Sequence, residues 1–86
     1  MPVANEFESS DYFIVTALLA SDEQLVAHRR MADGKIMWSF IETPKIAVVL
    51  EGYYNGTLVL PLQKVFAAQK LLKNQFKQLN PFNANL

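Results

Sequence analysis

The sequence predicts an α+β domain: an N-terminal helix, a central β-hairpin extended by a short third strand, and two further helices packed on one sheet face. Three observations carry this. In "QLVAHRRMADGKIMWSFIE" two apolar runs flank Asp33 and Gly34, the pattern of a hairpin. "ETPKIAVVLEGYYNG" has helix punctuation at both ends, and Pro61 opens a long amphipathic run that Asn80 and Pro81 close.

Residues 1–10 are expected to be a mobile segment, residues 11–80 the single domain and 81–86 a tail, with Phe82 able to fold back. Within the first segment the alternation Glu6, Phe7, Glu8 is enough for a strand of two or three residues. "DYFIVTALLA" follows. Tyr12 to Thr16 favour a strand by propensity, whereas Ala17 to Ala20 favour a helix and Asp11 suits its N-cap, so a helix is the preferred reading. Such a helix is apolar on two sides. Ile14, Ala17 and Leu18 lie on one, and Tyr12, Val15 and Leu19 on the other.

A two-residue turn at Asp33 and Gly34, with positive φ at both, sets the hairpin register. It places Arg29 opposite Trp38, Ala27 opposite Phe40 and Leu25 opposite Glu42, on a core face that also holds Met31 and Ile36. Arg29 would then lie over the Trp38 indole. The other face pairs Val26, His28 and Arg30 with Ile41, Ser39 and Met37.

In the next helix Thr43 is the expected N-cap, Pro44 occupies the first turn, where its missing N–H costs nothing, and Asn55 with Gly56 ends it. Ile46, Val49, Leu50, Tyr53 and Tyr54 form its apolar stripe. Gly52 lies off that stripe, implying a close contact or an early helix end. "TLVL", residues 57–60, is rich in strand formers and is expected as the third strand at an edge of the hairpin. The last helix should run to about Leu79, burying Leu62, Val65, Phe66, Leu72, Phe76 and Leu79 and presenting Lys70, Lys73 and Lys77 outward.

Composition narrows function. The 86 residues give room for one domain, and the absence of cysteine removes disulfides, thiolate metal sites and thiol nucleophiles. Glu6, Glu8 and Asp11 precede the apolar run, the reverse of a secretory n-region, so a cytoplasmic location is expected. That run is under half of the roughly 20 apolar residues a membrane helix needs, so no membrane association is expected. His28 is the sole histidine and has no carboxylate in register to orient it. One histidine with scattered carboxylates makes no metal cluster, and Gly34, Gly52 and Gly56 make no phosphate loop. The chain is therefore expected to be no enzyme, with no cofactor and no metal.

Net charge is zero but segregated: residues 1–51 sum to −4, and the acid-free remainder, with Lys64, Lys70, Lys73 and Lys77, sums to +4. Lysines on an exposed helix face explain the second block as solubility and dipole complement. They also admit an anionic partner.

The order of "VTALLAS", "ADGK", Trp38 with Phe40, "ETPKI", "YYNG" and "AAQKLLK" resembles a family of small domains of unknown function found in phage, prophage and bacterial genomes. The similarity spans about residues 7 to 77. It implies this fold and a phage or bacterial setting, and supplies no catalytic residue.

The expected function is that of a small protein-interaction module, homodimeric through Tyr12, Val15 and Leu19, or engaging a host or phage protein as an accessory. A tail or last helix that covers those three residues would instead leave a monomer. The alternative function is single-stranded nucleic-acid binding by Arg29, Arg30, Lys35, Lys70, Lys73 and Lys77, with hairpin aromatics to stack on bases.

Overall fold

A computed structural model describes residues 5–79, in the order β1 (Glu6–Ser9), α1 (Tyr12–Ala20), β2 (Leu25–Arg30), β3 (Ile36–Ile41), α2 (Pro44–Asn55) and α3 (Leu62–Leu79). The expected tail with Phe82, and residues 1–4 of the expected N-terminal segment, lie outside the described residues. The fold is α+β, with three helices and a three-stranded antiparallel sheet in the order β1-β3-β2.

The third strand is not where propensity placed it. Residues 57–60 form no strand, and Glu6–Ser9 instead pairs with β3 through Phe7 opposite Phe40 and Glu8 opposite Ser39. β3 thereby becomes the central strand. Its alternate residues Ile36, Trp38 and Phe40 are buried and join α1, α2 and α3 in one core, as a period of two requires.

The hairpin register differs by one residue from the expected one. His28 faces Trp38, Arg29 faces Met37 and Ala27 faces Ser39 rather than Phe40, and an irregularity between Leu25 and Ala27 puts Leu25 opposite Phe40 instead of Glu42. The turn is the cause. Met31 N–H bonds to the Lys35 carbonyl at 2.7 Å, closing a three-residue loop in which, of Asp33 and Gly34, Gly34 alone has positive φ, at 88°. Arg29 therefore lies on the face away from the helices, and the expected stacking on Trp38 does not occur.

α1 is a helix, as preferred. Asp11 caps it, one carboxylate oxygen accepting from the N–H groups of Phe13 at 2.9 Å and Ile14 at 3.2 Å. It is apolar almost all round because it is buried almost all round: Ile14 to Leu18 and Ala20 are all covered. At its end Asp22 adopts φ 66°, and the N–H groups of Asp22 and Glu23 return to the carbonyls of Leu19 and Leu18. This is a Schellman ending with aspartate in the left-handed position. Asp22 also pairs with Lys64 at 2.6 Å, joining this turn to α3.

α2 starts and ends where expected, with Pro44 in its first turn. Thr43 occupies the N-cap position without capping; its hydroxyl donates to Glu23 instead, at 2.5 Å. Ile46 and Val49 are buried and Leu50 and Tyr53 half-buried, but Tyr54 is exposed. Gly56 closes the helix in the left-handed region, with Thr57 N–H bonded to the Gly52 carbonyl at 2.9 Å. Gly52 is the close contact its position implied: a β-carbon there would sit 3.4 Å from that of Leu58.

α3 buries a narrower stripe than expected. Ala68 and Leu72 are buried and Val65 half-buried, while Leu62 and Phe66 are exposed. The side chains of Phe76 and Leu79 lie outside the described residues. α1 packs directly on α3, and the buried alanines Ala17, Ala20 and Ala68 allow a close approach of the two backbones.

Candidate functional site

The feature that stands out is an open cleft of about 300 Å³ between α1, the end of α2, residues 57–60 and the first half of α3. Phe13, Thr16 and Ala17 line it from α1, Tyr53 from the last turn of α2, Leu58 from the segment after it, and Leu60, Val65 and Gln69 from the far side. The local sequence explains the shape. Gly52 and Gly56 turn the chain back tightly enough for Leu58 to rest on α2, and Pro61 then redirects it into α3.

The cleft's surroundings are apolar. Phe13 is 66 % exposed, Leu62 64 % and Phe66 57 %, high values for large apolar side chains in a chain of this size. Phe13 is braced edge-on by Tyr12, ring centroids 5.7 Å apart. Sequence periodicity assigned Leu62 and Phe66 to the core. The missed signal is Ala68: with Val65 and Leu72 it sets the buried axis at i, i+3 and i+7, and Phe66 falls well off that axis.

Reactive chemistry is thin in this lining. The Thr16 hydroxyl donates to the Tyr12 carbonyl at 2.7 Å within its own helix, and among the lining residues there is no aspartate, glutamate, histidine or lysine. Among the described residues no group of three or more histidines, aspartates and glutamates could hold a metal ion. His28 is half-buried opposite Trp38.

The expected dimer residues are placed differently from one another. Val15 is 0 % exposed, and Tyr12 and Leu19 are half-buried against the same core. The second apolar side of α1 is thus covered within the chain by α3, and Val15 has no surface to present.

The six basic residues are dispersed. Arg29 donates to Glu8 at 2.7 Å on the sheet face away from the helices, and Glu8 also accepts from the buried Ser39 at 3.0 Å. These two hydrogen bonds, the one from Arg29 foremost, hold the Glu8 carboxyl below its ordinary value. Arg30, the next residue along β2, projects to the opposite face, opposite Ile36. Lys35 is exposed beside the turn, Lys70 and Lys73 are exposed on α3, and Lys77 lies in α3 with its side chain outside the described residues. Trp38 and Phe40, the hairpin aromatics, are buried and offer no stacking surface.

No family model matches the chain, and neither a curated protein nor a solved structure matches it. Among the described residues no helix is long and apolar enough to cross a membrane.

Proposed function

We propose that the protein is a small, non-enzymatic interaction module that pairs with a second copy of itself through the apolar face around the α1–α3 cleft. The observation that carries this is an open cleft lined by the exposed Phe13, with Leu62 and Phe66 exposed on the same stretch of α3 that supplies Val65 and Gln69 to its wall. An aromatic side chain buries about 150 to 250 Å², so these three residues leave on the order of 300 Å² of apolar surface per copy. Covering it on two copies contributes roughly 15 kcal/mol at about 25 cal/mol per Å², against about 4 to 15 kcal/mol for association. Micromolar pairing fits that balance. The setting we propose is the cytoplasm of a bacterium or a phage-infected cell, with a host or phage protein as the heterologous alternative to a second copy.

Light scattering across a dilution series tests the reading. The expected result is a dimer that Phe66→Ser weakens at least tenfold while leaving the monomer folded, because an exposed substitution changes stability by only about 0.5 kcal/mol. A monomeric mass at the highest soluble concentration overturns it. Single-stranded DNA at low salt is the competing occupant. The burial of Trp38 and Phe40 weighs against it, and binding that Lys70→Glu with Lys73→Glu abolishes would favour it instead.

A further inference from the structure

We infer that residues 57–60 become a strand by pairing with the same segment of a second copy, each Val59 exchanging N–H to carbonyl bonds with its counterpart across a two-fold axis. The inference rests on the homodimer reading and specifies its central contact.

"TLVL" carries two strand formers, Thr57 and Val59, yet it joins no sheet in the chain. Its burial alternates as a strand's does: Leu58 and Leu60 are half-buried, whereas Val59 between them is 89 % exposed. Thr57 and Leu58 both give their N–H groups to the Gly52 carbonyl, at 2.9 and 3.1 Å. Among the described residues, neither the N–H nor the carbonyl of Val59 makes a backbone hydrogen bond.

That pattern selects the partner. In an antiparallel ladder residues 57, 59 and 61 share one edge, and a long foreign strand would need donors at all three. Thr57 has already spent its N–H and Pro61 has none, so the ladder cannot extend past Val59 in either direction. A pair centred on Val59 uses one donor and one acceptor from each copy and asks for nothing more. Such self-complementarity is what an isologous interface requires. Leu62 follows one residue after the segment, past Pro61, so the strand pair would adjoin the exposed apolar face.

Amide hydrogen exchange followed by NMR on the full chain, below and above the dimer midpoint, tests this. The Val59 amide should exchange at least tenfold more slowly in the dimer, on the usual reading of protection. Val59→Pro, which deletes the donor, should give a folded monomer by circular dichroism and light scattering, while Val59→Ala keeps the N–H and should still pair. A dimer whose Val59 amide exchanges at the same rate at both concentrations, or a Val59→Pro variant that still dimerises, overturns the strand pair and leaves the homodimer standing. A wild-type chain that never dimerises overturns both.

Discussion

The indole N–H of Trp38 donates to the side-chain carbonyl of Gln75 at 3.1 Å, joining the central strand to α3 across 37 positions of sequence. Trp38 is 3 % exposed and belongs to the buried cluster of Ile36, Phe40 and Leu72, so loss of this partner removes the acceptor of a largely buried N–H. Gln75→Leu should therefore cost about 1 to 3 kcal/mol, the price of an orphaned buried donor, and Trp38→Ala about 3 to 5 kcal/mol. Urea denaturation followed by circular dichroism measures both. An emission maximum typical of water-exposed indole in the native state would contradict the placement of Trp38.

Glu8 gives the fold a dependence on acid. Its carboxyl is held below its ordinary value by the hydrogen bond from Arg29, with a further one from Ser39. A carboxylate with a depressed folded value contributes stability above its unfolded value and loses it as pH falls through the folded one. The melting temperature should thus be flat from neutrality to about pH 5 and decline below about pH 4.5, the ordinary range of a glutamate. Glu8→Gln should flatten part of that decline. Asp22, lowered in the same way by Lys64, accounts for another part. Both pairs are exposed, so added salt should shrink the effect.

How much of this was readable from sequence depends on how local each determinant is. The extent of α2 and the start of α3 follow from Pro44, Gly56 and Pro61, which act within a turn of where they stand. Register was less legible because Asp33–Gly34 suits both a two-residue turn and a three-residue loop ending in one left-handed glycine. The third strand was misplaced for a different reason. "TLVL" has the better propensity, but "EFES" has partners, with Phe7 beside Phe40 and Glu8 beside Arg29 and Ser39, and pairing is a property of the whole chain. The exposed face was hidden by its own hydrophobicity. Leu62 and Phe66 read as core until the close packing of α1 on α3 shows which side of the helix is used.

Two left-handed residues end helices, one a glycine and one not. Gly56→Ala puts a β-carbon at φ 72°, where it meets no neighbour but is strained by its own backbone, and should cost about 1 kcal/mol. Asp22→Gly at φ 66° should do the reverse, relieving backbone strain while losing only an exposed, solvent-screened pair with Lys64. Thermal unfolding should show the first variant melting a few degrees lower and the second at or slightly above the wild type. An Asp22→Gly variant as destabilised as Gly56→Ala would mean that the aspartate side chain contributes more to the turn than its pair with Lys64.

Helix α1 places its apolar residues in two environments according to their angle around the axis. Leu18 is completely buried between the sheet and the other helices, so Leu18→Ala removes contacts that nothing can relax to fill. It should cost about 2 to 5 kcal/mol, a large share of the roughly 5 to 10 kcal/mol expected of a domain this small. Phe13 begins the same helix but faces the open cleft, so Phe13→Ser should change the urea midpoint little, within about 0.5 kcal/mol. On the homodimer reading its effect should appear in association, weakening pairing without loosening the monomer. Measured together, the two variants separate folding from pairing on a single element. A Phe13→Ser variant that unfolds as readily as Leu18→Ala would show that the cleft closes over Phe13 in the monomer, and that the apolar face belongs to the core of one chain rather than to the meeting of two.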